Sequence, residues 1–183
     1  FDFSLMKEEL NKIEIFNFDS NLDKHIDGGS NIDTFETVKE SRKYILVNED
    51  KQFDKMIKEI KKHSIISIDL ETTSLNPLAA EIVGISLSVK ENCGYYIPFI
   101  IPGELFPTNP KTILNKLSSI LNSSSFKFIG QNLKYDANVL ANHDIVMKGI
   151  KHDTMLQSYV FNSTATRHNM DALAEKYLGQ QTI

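Results

Sequence analysis

A single cysteine, Cys93, in 183 residues excludes an intramolecular disulfide, and its neighbours Asn92, Gly94 and Tyr95 offer no metal-ligand spacing. No apolar run approaches the roughly 18 residues of a membrane span, and the opening residues lack the basic-then-apolar layout of a secretory leader. No membrane partner is expected, and the natural setting is a reducing cytoplasm. No internal repeat recurs. The chain starts at Phe1 rather than a methionine, so it reads as a piece of a longer protein.

What is present is the composition of one sizeable globular core with extras, 41% hydrophobic and 24% charged. The net charge of −4 is unevenly spread. Residues 17–40 hold six acids against Lys24 and Lys39, and residues 1–16 hold four acids against two bases. That leaves residues 41–183 with sixteen bases and fourteen acids, a mildly basic portion compatible with a polyanion and equally with an ordinary near-neutral domain.

Residues 4–16 read as a short helix with Leu5, Met6, Leu10 and Ile13 on one side. Residues 17–41, acidic and interrupted by Gly28-Gly29-Ser30, read as a linker. The folded domain is expected over 42–183. Within it, strands are predicted at 43–47, 65–70, 81–89, 94–100, 126–129 and 146–150. Helices are predicted at 51–62, 111–121, from the 130–136 segment to about Asn142, and at 153–161 and 170–178. Three consecutive strands, then helix, strand and helix, predict an α/β fold: a mixed sheet made of a three-stranded meander followed by parallel strands, with helices covering it.

Two segments carry candidate chemistry. Asp69 and Glu71 lie two apart where the apolar run Ile65, Ile66, Ile68 gives way to the turn residues Ser74, Asn76 and Pro77. Residues two apart on an extended chain point to one side, so both carboxylates face one spot. Taken alone, the pair fits solvated turn groups or a helix cap as well as a metal site. In Gly130-Gln131-Asn132-Leu133-Lys134-Tyr135-Asp136, Asn132 and Asp136 share a helical face. They also fit a cap and a surface acid in a first turn. If the two strands are parallel neighbours, Asp69, Glu71 and Asp136 meet at one sheet edge. Clustered carboxylates need a cation among them, and hard oxygen donors favour magnesium or manganese over zinc. That chemistry suits phosphodiester hydrolysis with two metal ions. No Ser-His-Asp or Cys-His set accompanies the cluster, which disfavours acyl transfer.

Four segments in order, Ile68-Asp69-Leu70-Glu71-Thr72, Gly130 to Asp136, His152-Asp153-Thr154-Met155-Leu156 and Arg167-His168-Asn169-Met170-Asp171-Ala172-Leu173-Ala174, together resemble the 3′–5′ exonuclease domain of bacterial family A DNA polymerase I. Phe1-Asp2-Phe3-Ser4-Leu5 resembles the tail of that enzyme's preceding 5′-nuclease domain. The resemblance implies a ribonuclease H-like fold with helices on both sheet faces. It also implies proofreading at a single-stranded DNA 3′ end with two Mg2+ or Mn2+ ions, and polymerase and 5′-nuclease domains as partners in the parent chain.

By that resemblance, Asp69, Glu71 and Asp136 match the first three members of a four-acid metal site, and Leu75 matches a residue that wedges against the terminal bases. Thr72, Gln131, Asn132, Lys134, Tyr135 and Arg167 match positions near the substrate. Lys134 and Arg167 suit phosphates, and Tyr135 offers a face for stacking. Asp153 is expected to order the turn before its helix, and His152 and His168 to be polar structural groups. The family's last motif, a tyrosine with the fourth acid four residues on, is expected beyond Ile183, since Gln181 lies four residues after Tyr177. The piece alone is therefore expected to hydrolyse DNA weakly or not at all. A non-catalytic single-strand binding or spacer module, or a related RNA-processing exonuclease, are the competing expectations.

Overall fold

The structure, a computed structural model, describes residues 42–99, 110–164 and 167–179. These lie within one unit, Glu40–Ile183. The helix expected at 4–16 and the linker expected at 17–41 lie outside the described residues.

Among the described residues, six strands form one mixed sheet: β1 (Lys43–Leu46), β2 (Ile65–Thr72), β3 (Ile82–Lys90), β4 (Cys93–Pro98), β5 (Lys127–Gly130) and β6 (Ile150–Asp153). The order across the sheet is β1-β4-β3-β2-β5-β6. β2, β3 and β4 make the expected antiparallel meander, and β5 then joins β2 in parallel, with β6 parallel to β5. β1 adds a parallel edge beside β4.

Among the described residues the helices are, in chain order, α1 (Asp50–Ile60), α2 (Pro110–Leu121), α3 (Leu133–Ala141), α4 (Thr154–Phe161) and α5 (Met170–Leu178). α1 buries Phe53, Met56 and Ile60, α2 buries Ile113, Leu114, Leu117, Ile120 and Leu121, and α3 buries Leu133, Val139 and Leu140. These side chains join Ile66, Ile68 and Leu70 of β2 and Ile85 and Leu87 of β3 in one core. At about 1.5–3 kcal/mol for each large apolar side chain withdrawn from water, this face supplies the main driving force for folding.

The strand expected at 146–150 is a correction. The ladder begins only at Ile150 and runs to Asp153, and residues 145–149 are not strand. Ile145 and Met147 do dip into the core, which gives the alternation its strand-like look. The backbone there bonds elsewhere: the Val146 amide donates to Asn122 Oδ1 at 3.0 Å and the Lys148 amide to the Leu121 carbonyl at 2.9 Å. Gly149, at φ +76°, then turns the chain, in a conformation that a side chain at that position opposes.

Candidate active site

The period of β2 separates its functions. Ile66, Ile68 and Leu70 are buried, while Ser67 and Glu71 are exposed and Asp69 is half-buried on the opposite face. The expectation of a shared direction for Asp69 and Glu71 follows from this alternation. The parallel pairing of β2 with β5 brings the turn after β5, and so the start of α3, to the same rim.

Asp136, in the first turn of α3, is only 3% exposed. Its Oδ2 has no hydrogen-bond partner. Burial, followed by the charges of Asp69, Asp153 and Glu71, pushes its carboxyl up to about 7, against the lowering effect of a hydrogen bond from the Leu70 backbone. Asp69 is also held above the ordinary carboxylate range, first by burial and then by Glu71. The rim therefore concentrates negative charge on poorly solvated carboxylates, a setting that a bound cation relieves. Among the described residues, no three His, Cys, Asp or Glu side chains are grouped closely enough to hold a metal ion as they stand. The donor chemistry nevertheless fits a hard divalent cation. Asp136 feels the charges of Asp69 and Glu71, and one of its buried oxygens lacks a partner.

The turn between β5 and α3 is locked from two sides. Asn132 sits at the N-cap position of α3 in the left-handed region, φ 59° and ψ 42°, and its side chain makes no capping bond. Its backbone amide donates instead to Asp153 Oδ1 at 3.1 Å. The same oxygen accepts from the Met155 and Leu156 amides at 3.0 and 3.2 Å, so Asp153 caps α4 and ties it to the turn. Both ends of the Gln131 amide are engaged: Nε2 donates to the His168 carbonyl at 2.8 Å, and Oε1 accepts from the Thr154 hydroxyl. His168 is buried, with Nδ1 2.8 Å from the Ser158 hydroxyl and its ring stacked on Tyr159 at 3.8 Å. His152 Nδ1 lies 3.0 Å from Gln157 Nε2. The bonds at His168 join residues 10 and 37 apart, so its structural role was readable from sequence while its partners were not.

On the loop after β2, the Thr72 hydroxyl lies 2.5 Å from the Tyr135 hydroxyl, which also donates to the Ser74 carbonyl. Asn142 Nδ2 donates to the Pro77 carbonyl at 2.7 Å. α3 thus braces this loop at two points, and the loop holds Leu75 out at 96% exposure. Lys134 and Arg167 are exposed. Tyr135 therefore serves first as a brace, a role the sequence did not reveal.

A mixed sheet made of an antiparallel meander extended by two parallel strands is of the ribonuclease H-like class of fold. The chain belongs to the 3′–5′ exonuclease family, whose model matches residues 44–183. It is 41% identical to the DNA polymerase I of Pseudomonas aeruginosa over 147 residues, covering 76% of this chain and 16% of that protein. Two solved structures share the fold. Trypanosoma brucei RNase D has a TM-score of 0.62 at 11% identity, over 78% of this chain and 49% of that one. Brucella melitensis NrnC with bound Mg2+ has a TM-score of 0.52 at 21% identity, over 76% and 62%. Among the described residues, no helix is long and apolar enough to cross a membrane.

Proposed function

We propose that this chain is the proofreading module of a DNA polymerase I, which hydrolyses a single-stranded DNA 3′ end and releases nucleoside monophosphates. Asp69, Glu71 and Asp136 would hold divalent metal, Mg2+ or Mn2+, as three members of a four-acid site that takes two ions in the complete domain. The observation that carries this reading is Asp136, a buried acid with an unpartnered oxygen beside Asp69 and Glu71. Such an arrangement costs folding energy, and a cation offsets that cost. When bound, the ions supply a more acidic water as nucleophile and positive charge at the departing oxygen.

The protein's own groups hold the strand. Leu75, displayed on the loop braced by Tyr135, Thr72 and Asn142, wedges against the terminal base. Lys134 and Arg167 meet phosphates. Gln131 and Asn132 keep the turn shaped for the strand's approach. The working partners are the polymerase and 5′-nuclease domains of a parent chain, in the cytoplasm.

A 5′-labelled strand with a mispaired 3′ end, offered to the full-length polymerase with magnesium, tests this. Stepwise shortening is expected, and Asp69→Ala should slow it about a thousandfold, the several kcal/mol that metal charge stabilisation is worth. Shortening that Asp69→Ala leaves unchanged contradicts the proposal, and strong preference for an RNA end assigns the chain to RNA processing instead.

A further inference from the structure

Asp69 and Glu71 pair across the ladder with Ser86 and Gly84 of β3, which pair in turn with Tyr96 and Pro98 of β4. Directly opposed residues share a face, so the acid-bearing face reads as two rows, Asp69-Ser86-Tyr96 and Glu71-Gly84-Pro98. Tyr96 does not keep to its own row. A Cβ built on Gly84 would lie 2.3 Å from the Tyr96 hydroxyl oxygen and 2.6 Å from Cζ. The phenol therefore leans along the sheet, and its hydroxyl fills the space left by the missing side chain, next to Glu71. This explains why Gly84 is buried on a polar face.

The adjacent Tyr95 packs against the core. Tyr96 points the other way, so core packing does not account for its hydroxyl. A phenol hydroxyl carries one proton at neutral pH and so can donate to a carboxylate.

We propose that Tyr96 is a positioning residue for Glu71: its hydroxyl, lodged over Gly84, donates to the Glu71 carboxylate and fixes which oxygen faces the divalent ion. This rests on the metal-site reading above. Partners that orient a ligand in this way affect metal affinity without touching the metal.

Tyr96→Phe keeps the ring over Gly84 and removes only the hydroxyl. The metal-free melting temperature should not change. The magnesium concentration giving half of the thermal stabilisation should rise about tenfold. In the full-length polymerase, kcat at limiting magnesium should fall with KM for single-stranded DNA unchanged, and excess magnesium should restore it. An unchanged magnesium midpoint overturns the role of Tyr96 and leaves the metal site standing. A wild-type protein that magnesium does not stabilise overturns both.

Discussion

Asp136 concentrates the chemistry of the rim in one side chain. Its carboxyl is raised from 3.8 to about 7, opposite to the usual fate of a folded protein's aspartate. Between these values the native state binds more protons than the unfolded chain, so metal-free stability falls as pH rises from about 4 to about 7 and levels off above. A shift of this size corresponds to about 4 kcal/mol. Asp136→Asn removes the titration and keeps an acceptor for Leu70. With a chelator present, it is expected to be more stable than wild type at pH 8 and nearly equal to it at pH 4 by chemical denaturation. A constant difference at both pH values would contradict the account. The shared direction of Asp69 and Glu71 was legible because strand alternation is local. The burial of Asp136 was not, because an acid in a helix's first turn ordinarily faces water, and its neighbours Leu70 and Asp69 are far away in sequence. Tyr96 was hidden for the same reason: a tyrosine in a strand reads as a β-former until the gap at Gly84 lets its ring lean out of its row toward Glu71.

Among the elements, the meander and the βα units were legible because their apolar periods differ, two for the strands and near 3.6 for the helices. The misplaced strand at 146–150 shows the limit. Ile145 and Met147 alternate like a strand, but a strand is defined by its ladder partners, and here the amides reach Asn122 and Leu121 instead. Asp153 joins two elements through one oxygen that receives the amides of Asn132, Met155 and Leu156. Asp153→Ala is expected to destabilise the domain by about 2 kcal/mol, the upper range for a lost cap, because a turn amide loses its acceptor as well. Asp153→Asn should recover most of that loss, since asparagine caps nearly as well. Equal losses for both variants in thermal or chemical unfolding would show that the charge, not the cap, holds the turn.

For the molecule as a whole, the sheet divides the labour. One face, with α1, α2 and α3, builds the core, and the other carries Asp69 and Glu71. The stability of that arrangement and its function are coupled through charge, since repulsion at the rim weakens the metal-free fold and a cation relieves it. Magnesium titration of the chain, followed by thermal unfolding at pH 8, measures this coupling directly. Wild type should gain stability with magnesium, by about 2.7 kcal/mol at a concentration a hundredfold above the dissociation constant, and Asp136→Asn should gain little. No gain in wild type, or an equal gain in both proteins, would contradict the account.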